Sequence, residues 1–185
     1  MILYMTRHGE SEYNVTGRYC GITDIPLHER GFAQAQELAK SLQEQGMAFD
    51  VVISSPLLRA RQTADAICEA LGMEYVVDER FRERDFGVYE GVSRDEVKDL
   101  FPEMYARQCT NTLDDAPDGG ETIRQVYQRV DEGLDQLRQI YQGKAVLLVC
   151  HGMTARAVNR YCWNTPYEEV AGFSIGNCEI VQYEL

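Results

Sequence analysis

The stretch that decides the fold lies at the start of the chain, where the apolar run Ile2-Leu3-Tyr4-Met5 leads directly into Thr6-Arg7-His8-Gly9-Glu10. An apolar run that ends in charged residues and glycine predicts a buried strand that leaves the core at its carboxyl end. His8 therefore falls at the end of this strand. In parallel α/β sheets, ligands bind in the crevice outside the carboxyl ends of the strands, so the position of His8 indicates a functional role.

The same arrangement occurs a second time near the end of the chain. The apolar run Ala145-Val146-Leu147-Leu148-Val149-Cys150 is followed at once by His151 and Gly152. The sequence contains three histidines, and two of them thus share one local context. A single histidine at a strand end is more often structural, but a matched pair with Arg7 beside one member predicts an active site built on His8 and His151.

Composition narrows the class of protein. With 185 residues, 44% of them hydrophobic and 26% charged, the chain is expected to form one soluble globular domain spanning 1–185. The formal net charge of −12 argues against nucleic acids and anionic membranes as partners. There is no long apolar run, no secretory signal, and no metal-binding or disulfide-type spacing among the six cysteines. We therefore expect a cytoplasmic protein with reduced thiols and without a metal or another cofactor.

Helical and strand patterns alternate along the chain. Helices are predicted at 29–45, 121–141 and 153–162, and further strands at 49–53, 75–77 and 178–183. The apolar stripe of the first helix comprises Phe32, Ala35, Leu38, Ala39 and Leu42. This order predicts a three-layer α/β/α fold with a mostly parallel central sheet.

The strand at 49–53 leads to another candidate site residue. Ser55 suits the N-cap of the following helix and Pro56 its first position. Arg59 then lies in the first turn, again at the carboxyl end of a strand. Arg61 is two residues further on, about 200° around the helix, and is expected to be a solvated charge.

Charge is dense between Asp78 and Gly87. On pattern alone this segment predicts an exposed loop, with Glu83 as one solvated charge among several. The region from Ser93 to Gln108 is weakly amphipathic and is interrupted at Pro102, and residues 110–120 form a polar loop.

The residues expected at the strand ends indicate phosphoryl chemistry. Arg7, Arg59 and His151 would bring positive charge to His8, and arginine forks match the oxygens of a phosphoryl group. The helix that opens after Gly152 would add backbone N–H groups. Neighbouring cations lower the pKa of a histidine and keep its lone pair free, which predicts His8 as a nucleophile toward phosphorus. Metal, P-loop, dinucleotide and serine-hydrolase motifs do not occur.

With these residues the chain resembles the first branch of the histidine phosphatase superfamily, also called phosphoglycerate mutase-like, over nearly its whole length. The matching motifs are Arg7-His8-Gly9-Glu10-Ser11 with Asn14; Arg18 and Gly21; Asp24-Ile25-Pro26-Leu27 with Gly31 and Gln34-Ala35; Ser54-Ser55-Pro56, Arg59-Ala60 and Gln62-Thr63-Ala64; Phe81, Glu83 and Phe86-Gly87; Gly119-Gly120-Glu121-Thr122; and His151-Gly152. The chain departs from the family pattern at His28, where Ser or Thr usually caps the helix. We interpret His28 as a surface turn residue without a catalytic role.

The resemblance implies a role for each matching residue. His8 would be the phosphorylated nucleophile, and Glu83 would be the general acid that protonates the leaving oxygen and then the base that activates water. This implied role overrides the solvated-charge interpretation of Glu83. The residues that would hold the phosphoryl oxygens are Arg7, Arg59 and His151, and those that would line the phosphate site are Asn14, Gly21 and Gly152.

Two activities and one non-catalytic role remain open. The family's mutases carry a longer insertion, with an arginine pair, between the acid and the second histidine. The stretch between Glu83 and His151 is short and holds no adjacent arginine pair, which favours a phosphatase for small phosphorylated metabolites over a mutase. A phospholigand-binding protein is disfavoured because all the catalytic positions are filled. Arg94 and Arg107 are the basic candidates for contacting a second anionic group, and Arg94 is assigned to the substrate site. The candidate wall residues are Tyr13, Tyr19, Tyr89 and Tyr105, while a monomer and a homodimer both remain open.

Overall fold

The computed structural model describes residues 1–169 and 172–185. The strands are β1 Ile2–Arg7, β2 Val51–Ser54, β3 Tyr75–Val77, β4 Ala145–Cys150 and β5 Ile180–Glu184. They form one sheet in the order β3-β2-β4-β1-β5. The first four strands pair in parallel, and β5 pairs antiparallel with β1. The predicted α/β fold with a mostly parallel sheet is confirmed.

The helices cover both faces of this sheet. Their bounds are α1 Glu12–Val15, α2 Glu29–Glu44, α3 Leu58–Leu71, α4 Val97–Leu100, α5 Pro102–Ala106, α6 Ile123–Ile140 and α7 Gly152–Cys162, with single 3₁₀ turns at Glu79–Phe81, Gly87–Tyr89 and Tyr167–Glu169. One core cluster joins the sheet to α2 and α3, and a second joins it to α6 and α7. The three-layer prediction therefore holds.

The central strand β4 explains why its sequence is apolar without alternation. Val146 and Leu148 pack toward α6 and α7, whereas Leu147 and Val149 pack toward α2 and α3. All four side chains are fully buried. A parallel strand covered on both faces has no solvent side, so each of its positions favours an apolar residue.

Helix α2 differs from its prediction at two positions near its start. Phe32 is 42% exposed, although it was expected on the apolar stripe, and the buried position beside it is Gly31. Gly31 lies against the backbone of Glu10, where an added Cβ would overlap the carbonyl oxygen of Glu10. His28 is the N-cap, and its Nδ1 accepts a hydrogen bond from the N–H of Arg30 at 3.3 Å. His28 thus caps the N-terminus of α2, as the family's Ser or Thr would.

Helix α3 begins later than predicted. Its N-cap is Leu57, so the expected N-cap at Ser55 and first position at Pro56 are wrong. The N–H of Ser55 bonds to the carbonyl of Val149 at 3.0 Å and so prolongs the β2–β4 pairing past the end of β2. Arg59 nevertheless lies in the first turn, as predicted. Arg61 is half-buried rather than solvated, and its buried Nε has no hydrogen-bond partner among the described residues.

A small separate cluster covers the carboxyl edge of the sheet. The predicted break at Pro102 separates α4 from α5, and a satellite core forms from Phe86, Tyr89, Val97 and Cys109. Residues 110–120 contain no helix or strand, as predicted. Throughout 1–169 and 172–185, none of the helices combines the length and apolar character that a membrane crossing requires.

Candidate active site

The two histidines predicted to act together lie side by side at the carboxyl end of the sheet. β1 and β4 pair with Arg7 opposite Cys150, so His8 and His151 are the first residues after the two strands. Their ring centroids are 5.0 Å apart, and both side chains are buried. The common strand register therefore brings two distant sequence positions to one place.

The ring of His8 is held in one tautomer. Its Nδ1 lies 2.6 Å from the carbonyl oxygen of Gly9, which accepts and so assigns the proton to Nδ1. The other nitrogen, Nε2, accepts from Nε of Arg59 at 3.3 Å. Burial, together with the charges of Arg59 and Arg7, holds the pKa of His8 well below its ordinary value of 6.5. At neutral pH, His8 is uncharged and Nε2 presents a lone pair.

Arg59 is fully buried and is fixed by the loop between β1 and α2. Its Nη2 donates to the carbonyl of Gly21 at 2.7 Å, and its Nη1 donates to the carbonyl of Thr23 at 3.0 Å. Gly21, like Arg59 and His151, is not among the residues that line the open cleft, and an added Cβ at Gly21 would overlap the Glu90 side chain. Gly21 therefore contributes a carbonyl that orients Arg59, and its role in lining the phosphate site stays a prediction.

His151 is oriented by the serine that was expected to cap α3. Ser55 Oγ lies 2.6 Å from Nε2 of His151 and accepts from the N–H of Leu57 at 3.3 Å. The Ser55 hydroxyl either donates to Nε2, which leaves the histidine proton on Nδ1, or accepts from Nε2–H, which leaves a lone pair on Nδ1. This Nδ1 is buried and has no hydrogen-bond partner among the described residues. Burial and the charge of Arg59 hold the pKa of His151 well below 6.5, so its imidazole is neutral rather than a cation.

Arg7 lines the cleft beside His8. Its Nη1 donates to the carbonyl of Ile175 at 3.2 Å, and its buried Nε has no partner in the described parts of the chain. Burial lowers the pKa of Arg7 and the carboxylate of Glu83 opposes this shift, but a guanidinium stays charged in any folded protein. Arg7 therefore offers an unused donor and a positive charge next to the nucleophile.

Glu83 lies across the cleft, buried to 7% exposure. The charge pattern alone predicted a solvated loop, which is wrong for this residue, whereas the family resemblance predicted its inclusion in the site. Its carboxylate accepts from the N–H of Arg84 at 2.8 Å, and both of its oxygens lie 3.2 Å from the N–H of Met153. The first turn of α7, which was expected to face a phosphoryl group, thus uses the N–H of Met153 to hold the carboxylate.

Arg129, on α6, holds the backbone of residues 80–83, the segment that ends in Glu83. Its guanidinium donates to the carbonyls of Arg80, Arg82 and Glu83 at 2.7–3.0 Å. It also forms an ion pair with Glu121 at 3.0 Å. Burial raises the pKa of Glu121, but the hydrogen bonds and charge of Arg129, the N–H of Asp85 and the charge of Arg82 together outweigh that effect and hold the pKa below its usual range. Sequence reasoning missed Arg129, because an arginine on the middle of a helix carries no local signal of a distant partner.

Arg84 joins the segment that carries Glu83 to the loop at 109–115, which forms part of the cleft wall. It is fully buried, and its guanidinium donates to the carbonyls of Cys109, Thr110, Asp115 and Glu121 at 2.7–3.2 Å. Three of these carbonyls belong to the 109–115 segment, which supplies Thr110 and Asn111 to the cleft wall. The charge-dense segment is therefore an internal brace rather than a solvated surface.

The cleft above these groups has a volume of about 290 Å³, which suits a small metabolite. Its walls include the predicted residues Asn14, Gly152 and Arg94. Oδ1 of Asn14 accepts from the N–H and hydroxyl of Ser11 at 3.0 Å, so its amide NH₂ is the group that remains for a ligand.

Arg18 was identified as part of the family motif but without a role, and it lines the cleft. The wall residues that sequence reasoning did not single out are Cys20, Thr110, Asn111, Met153, Arg156, Phe173, Ser174 and Ile175. The spacing of Arg156 could have predicted its place in the site, because it lies one helical turn after Gly152 and so on the same face of α7. Burial raises the pKa of Cys20, which makes its thiol a poor nucleophile.

Of the four tyrosines predicted as wall residues, Tyr19 lines the cleft. Tyr89 is 1% exposed and packs against Tyr19 and Phe101 in the satellite core. Tyr105 is 51% exposed, and the Tyr13 hydroxyl lies beside Gly91, 3.2 Å from where a Cβ there would be. Neither is part of the cleft wall, and the alternative anion-binding candidate Arg107 pairs instead with Asp115 at 3.4 Å.

Comparison with known families agrees with this geometry. A family model described as "Histidine phosphatase superfamily (branch 1)" matches residues 3–185. The chain belongs to this family. Membership confirms the resemblance found in the sequence, and it makes the chain a member of a family of phosphatases and mutases.

Similar proteins in the histidine phosphatase superfamily carry both activities in their names. Phosphoserine phosphatase 1 of Hydrogenobacter thermophilus is 38% identical over 160 residues, which are 86% of this chain and 74% of that protein. A 2,3-bisphosphoglycerate-dependent phosphoglycerate mutase of Parvibaculum lavamentivorans is 29% identical over 189 residues, covering 100% of this chain and 90% of that one. The structure of a mycobacterial glucosyl-3-phosphoglycerate phosphatase complexed with VO3 matches with a TM-score of 0.88 and 29% identity, covering 98% of this chain and 91% of that chain.

Proposed function

We propose that the protein is a phosphatase that hydrolyses small phosphomonoesters through a phosphohistidine intermediate on His8. One observation carries the proposal: Nδ1 of His8 donates to the Gly9 carbonyl, so the ring's lone pair lies on Nε2, where it accepts from the Arg59 guanidinium. A neutral imidazole with its lone pair directed at a buried cation is suited to attack an anionic phosphoryl group bound by that cation.

In the first step, Nε2 of His8 forms a bond to phosphorus while the bond from phosphorus to the ester oxygen breaks. Arg7, Arg59 and the Nδ1–H of His151 donate to the phosphoryl oxygens, where charge accumulates. Glu83 gives its proton to the leaving oxygen, which departs as the free alcohol. Glu83 is then a carboxylate facing phosphohistidine.

In the second step, the Glu83 carboxylate takes a proton from water as the water oxygen attacks phosphorus. The bond between phosphorus and Nε2 breaks, inorganic phosphate forms, and His8 returns to its neutral state. Glu83 ends protonated, as it began. The amide of Asn14 and the backbone at Gly152 line this part of the cleft and are proposed to contact the phosphate.

A mutase is the second candidate, because one of the similar proteins bears that name. A mutase must keep water away from phosphohistidine while its substrate turns over in the site. The short stretch between Glu83 and His151 supplies no long insertion for such a lid, which favours hydrolysis.

We further propose that the protein acts in the cytoplasm as a single domain on a small phosphorylated metabolite, without nucleic acid or membrane partners. The net charge of −12 and six free cysteines support this setting.

The test is phosphate release from a panel of phosphomonoesters in EDTA, with 3-phosphoglycerate included. Release by the native protein, its loss in His8→Ala, and its retention in the control His28→Ser would support the phosphatase. Conversion of 3-phosphoglycerate to its 2-isomer without phosphate release would identify a mutase. Undiminished release by a folded His8→Ala protein would refute the nucleophile.

A further inference from the structure

The Glu90 carboxylate, which is not part of the cleft wall, binds the loop that fixes Arg59. One of its oxygens accepts hydrogen bonds from the N–H of Ile22 at 2.8 Å and the N–H of Phe86 at 3.1 Å. The other accepts from the N–H of Thr23 at 2.7 Å and from the Thr23 hydroxyl. Glu90 is half-buried, and it receives these four bonds from neutral groups although it has no role in the proposed reaction.

The peptide unit that joins Gly21 to Ile22 lies between this carboxylate and the guanidinium of Arg59. Its carbonyl accepts from Nη2 of Arg59 at 2.7 Å, and its N–H donates to Glu90. A peptide group whose carbonyl faces a cation and whose N–H faces an anion is polarised by both charges, so that each of its hydrogen bonds strengthens the other. The charges of Arg59 and Glu90 are therefore connected through a single amide.

Thr23 forms a second connection between the same two side chains. Its carbonyl accepts from Nη1 of Arg59 at 3.0 Å, while its N–H and its hydroxyl donate to Glu90. Both terminal nitrogens of the guanidinium are thus held by groups that Glu90 holds in turn. With these two nitrogens fixed, Nε is the guanidinium nitrogen that donates to His8.

Arg59 is a fully buried cation without a counter-charge in direct contact. Among residues 1–169 and 172–185, none of the carboxylate oxygens lies within 4.0 Å of its guanidinium nitrogens. Arg129, the arginine that holds the segment carrying Glu83, differs in this respect, because it pairs directly with Glu121 at 3.0 Å. Burial of a charge is costly unless the charge is paired and hydrogen-bonded. The two connections to Glu90 bring a negative charge to the side of Arg59 that faces away from His8.

The close fit between Glu90 and the loop also explains the glycine at position 21. A Cβ added to Gly21 would lie 2.0 Å from Oε1 of Glu90 and 2.6 Å from the carbonyl oxygen of Arg84. Gly21 is not among the glycines with a positive φ, so a lack of space, rather than the backbone conformation, requires glycine there. A larger residue would displace the carboxylate from the loop.

We propose that Glu90 is a positioning residue for the phosphoryl site, which acts through the peptide groups of residues 21–23 as the counter-charge of Arg59. A carboxylate in direct contact would occupy the N–H groups that a phosphoryl group needs, whereas one bound through amides leaves the remaining N–H groups of the guanidinium for the substrate. The inference rests on the proposed phosphatase function. It assigns Glu90 to binding of the phosphoryl group, and not to protonation of the leaving group by Glu83.

The first test is Glu90→Gln, which keeps the shape of the side chain but turns an NH₂ group toward N–H donors. We expect kcat/KM to fall about 10- to 10²-fold, by the same factor for alkyl phosphates and for nitrophenyl phosphate, because a displaced Arg59 weakens contacts to the phosphoryl oxygens whatever the leaving group. The inhibition constant of inorganic phosphate should rise as well. Glu96→Gln, at an exposed carboxylate nearby in the chain, is the control and should change neither quantity.

A double-variant cycle then tests the connection between Glu90 and Arg59. Denaturant unfolding is measured for the native protein, Glu90→Gln, Arg59→Met and the protein with both changes. The double variant should be destabilised by less than the sum of the single effects, because Glu90 has no buried cation to compensate once Arg59 is removed. Thr23→Val, which removes one of the four donors to Glu90, is the milder variant if Glu90→Gln does not fold, and it should show a smaller loss that is again equal for both substrate types.

The outcomes separate the two proposals. Undiminished kcat/KM in Glu90→Gln, or additive effects in the unfolding cycle, overturns the role of Glu90 and leaves the phosphatase standing. A loss confined to alkyl phosphates also overturns it, because Glu90 would then act on Glu83 through the N–H of Phe86. If the native protein hydrolyses no ester, the phosphatase proposal falls, and the unfolding cycle still decides whether Glu90 and Arg59 are coupled.

Discussion

Nε of Arg59 lies 3.3 Å from Nε2 of His8, although His8 follows β1, Arg59 follows β2, and the two residues are 51 positions apart. The donor therefore occupies the direction in which the histidine lone pair points. Because the guanidinium is held from behind by the carbonyls of Gly21 and Thr23, an entering phosphoryl group meets the cation and the nucleophile together. Binding and alignment are thus built into one contact.

Glu83→Gln removes the proton donor and keeps the shape of the side chain. We expect kcat/KM for alkyl phosphates to fall about 10²- to 10⁴-fold, and the loss with nitrophenyl phosphate to be much smaller, because a good leaving group needs little protonation. Steady-state kinetics on both substrate types measure this difference. Glu79→Gln, at an exposed residue of the same segment, serves as the control, and equal losses on both substrates in Glu83→Gln would contradict the acid role.

Arg129→Met tests whether the acid depends on its support. Removing the guanidinium frees the carbonyls of Arg80, Arg82 and Glu83, so the carboxylate of Glu83 should lose its position. We expect a larger loss of kcat on alkyl phosphates than on nitrophenyl phosphate, and a decrease in unfolding free energy of about 2–4 kcal/mol.

A purely structural role for Arg129 would change stability without changing the dependence on the leaving group. Arg129→Lys, which retains charge and some donors, should recover part of that dependence. Arg124→Met is the matched control, because Arg124 lies on the same helix and pairs with the exposed Asp114.

The stability of the protein should depend on pH through the two buried histidines. His8 and His151 have folded-state pKa values well below 6.5, the ordinary value expected in the unfolded chain. As the pH falls below 6.5, the unfolded chain takes up protons before the folded protein does, so stability is lost on acidification and is fully present above that value.

Denaturant unfolding between pH 7.5 and 5 measures this effect. Each histidine contributes up to about 1.4 kcal/mol per pH unit in this window. The slope of unfolding free energy against pH in His8→Asn should therefore be roughly half that of the native protein. Gln36→Ala, at an exposed position of α2, removes no titratable group and should leave the slope as it is. A native slope of zero between pH 6.5 and 5 would show that the histidines are not held neutral.

Gly31→Ala probes the contact between α2 and the loop that follows His8. An added Cβ would overlap the Glu10 carbonyl, and backbone atoms cannot move aside as a flexible side chain can. We expect a loss of about 1–3 kcal/mol in unfolding free energy, despite the helix preference for alanine, together with a fall in kcat/KM as the loop after His8 shifts. Gln36→Ala, at an exposed position of α2, should change both by little, and an equally small effect of Gly31→Ala would refute the close approach.

Local sequence patterns were sufficient for the order of the strands and the long helices, though not for the start of α3, because burial imposes a period that the chain must follow. The apolar runs before His8 and His151 predicted both strands and the shared context of the histidines. Patterns failed where a residue's partner lies far along the chain. Ser55 has the chemistry of an N-cap but bonds to His151, and Phe32 fits the helical stripe but is exposed because Gly31 faces the Glu10 backbone.

The sequence by itself determined the α/β order of elements, the family, and the two histidines at strand ends. Only the tertiary structure decided the tautomer of His8, the contact between His151 and Ser55, and the support of Glu83 by Arg129 and Met153. The reason is physical: periodic burial is a property of neighbouring residues, whereas a site depends on strand register and helix packing, which bring together side chains that share no local signal.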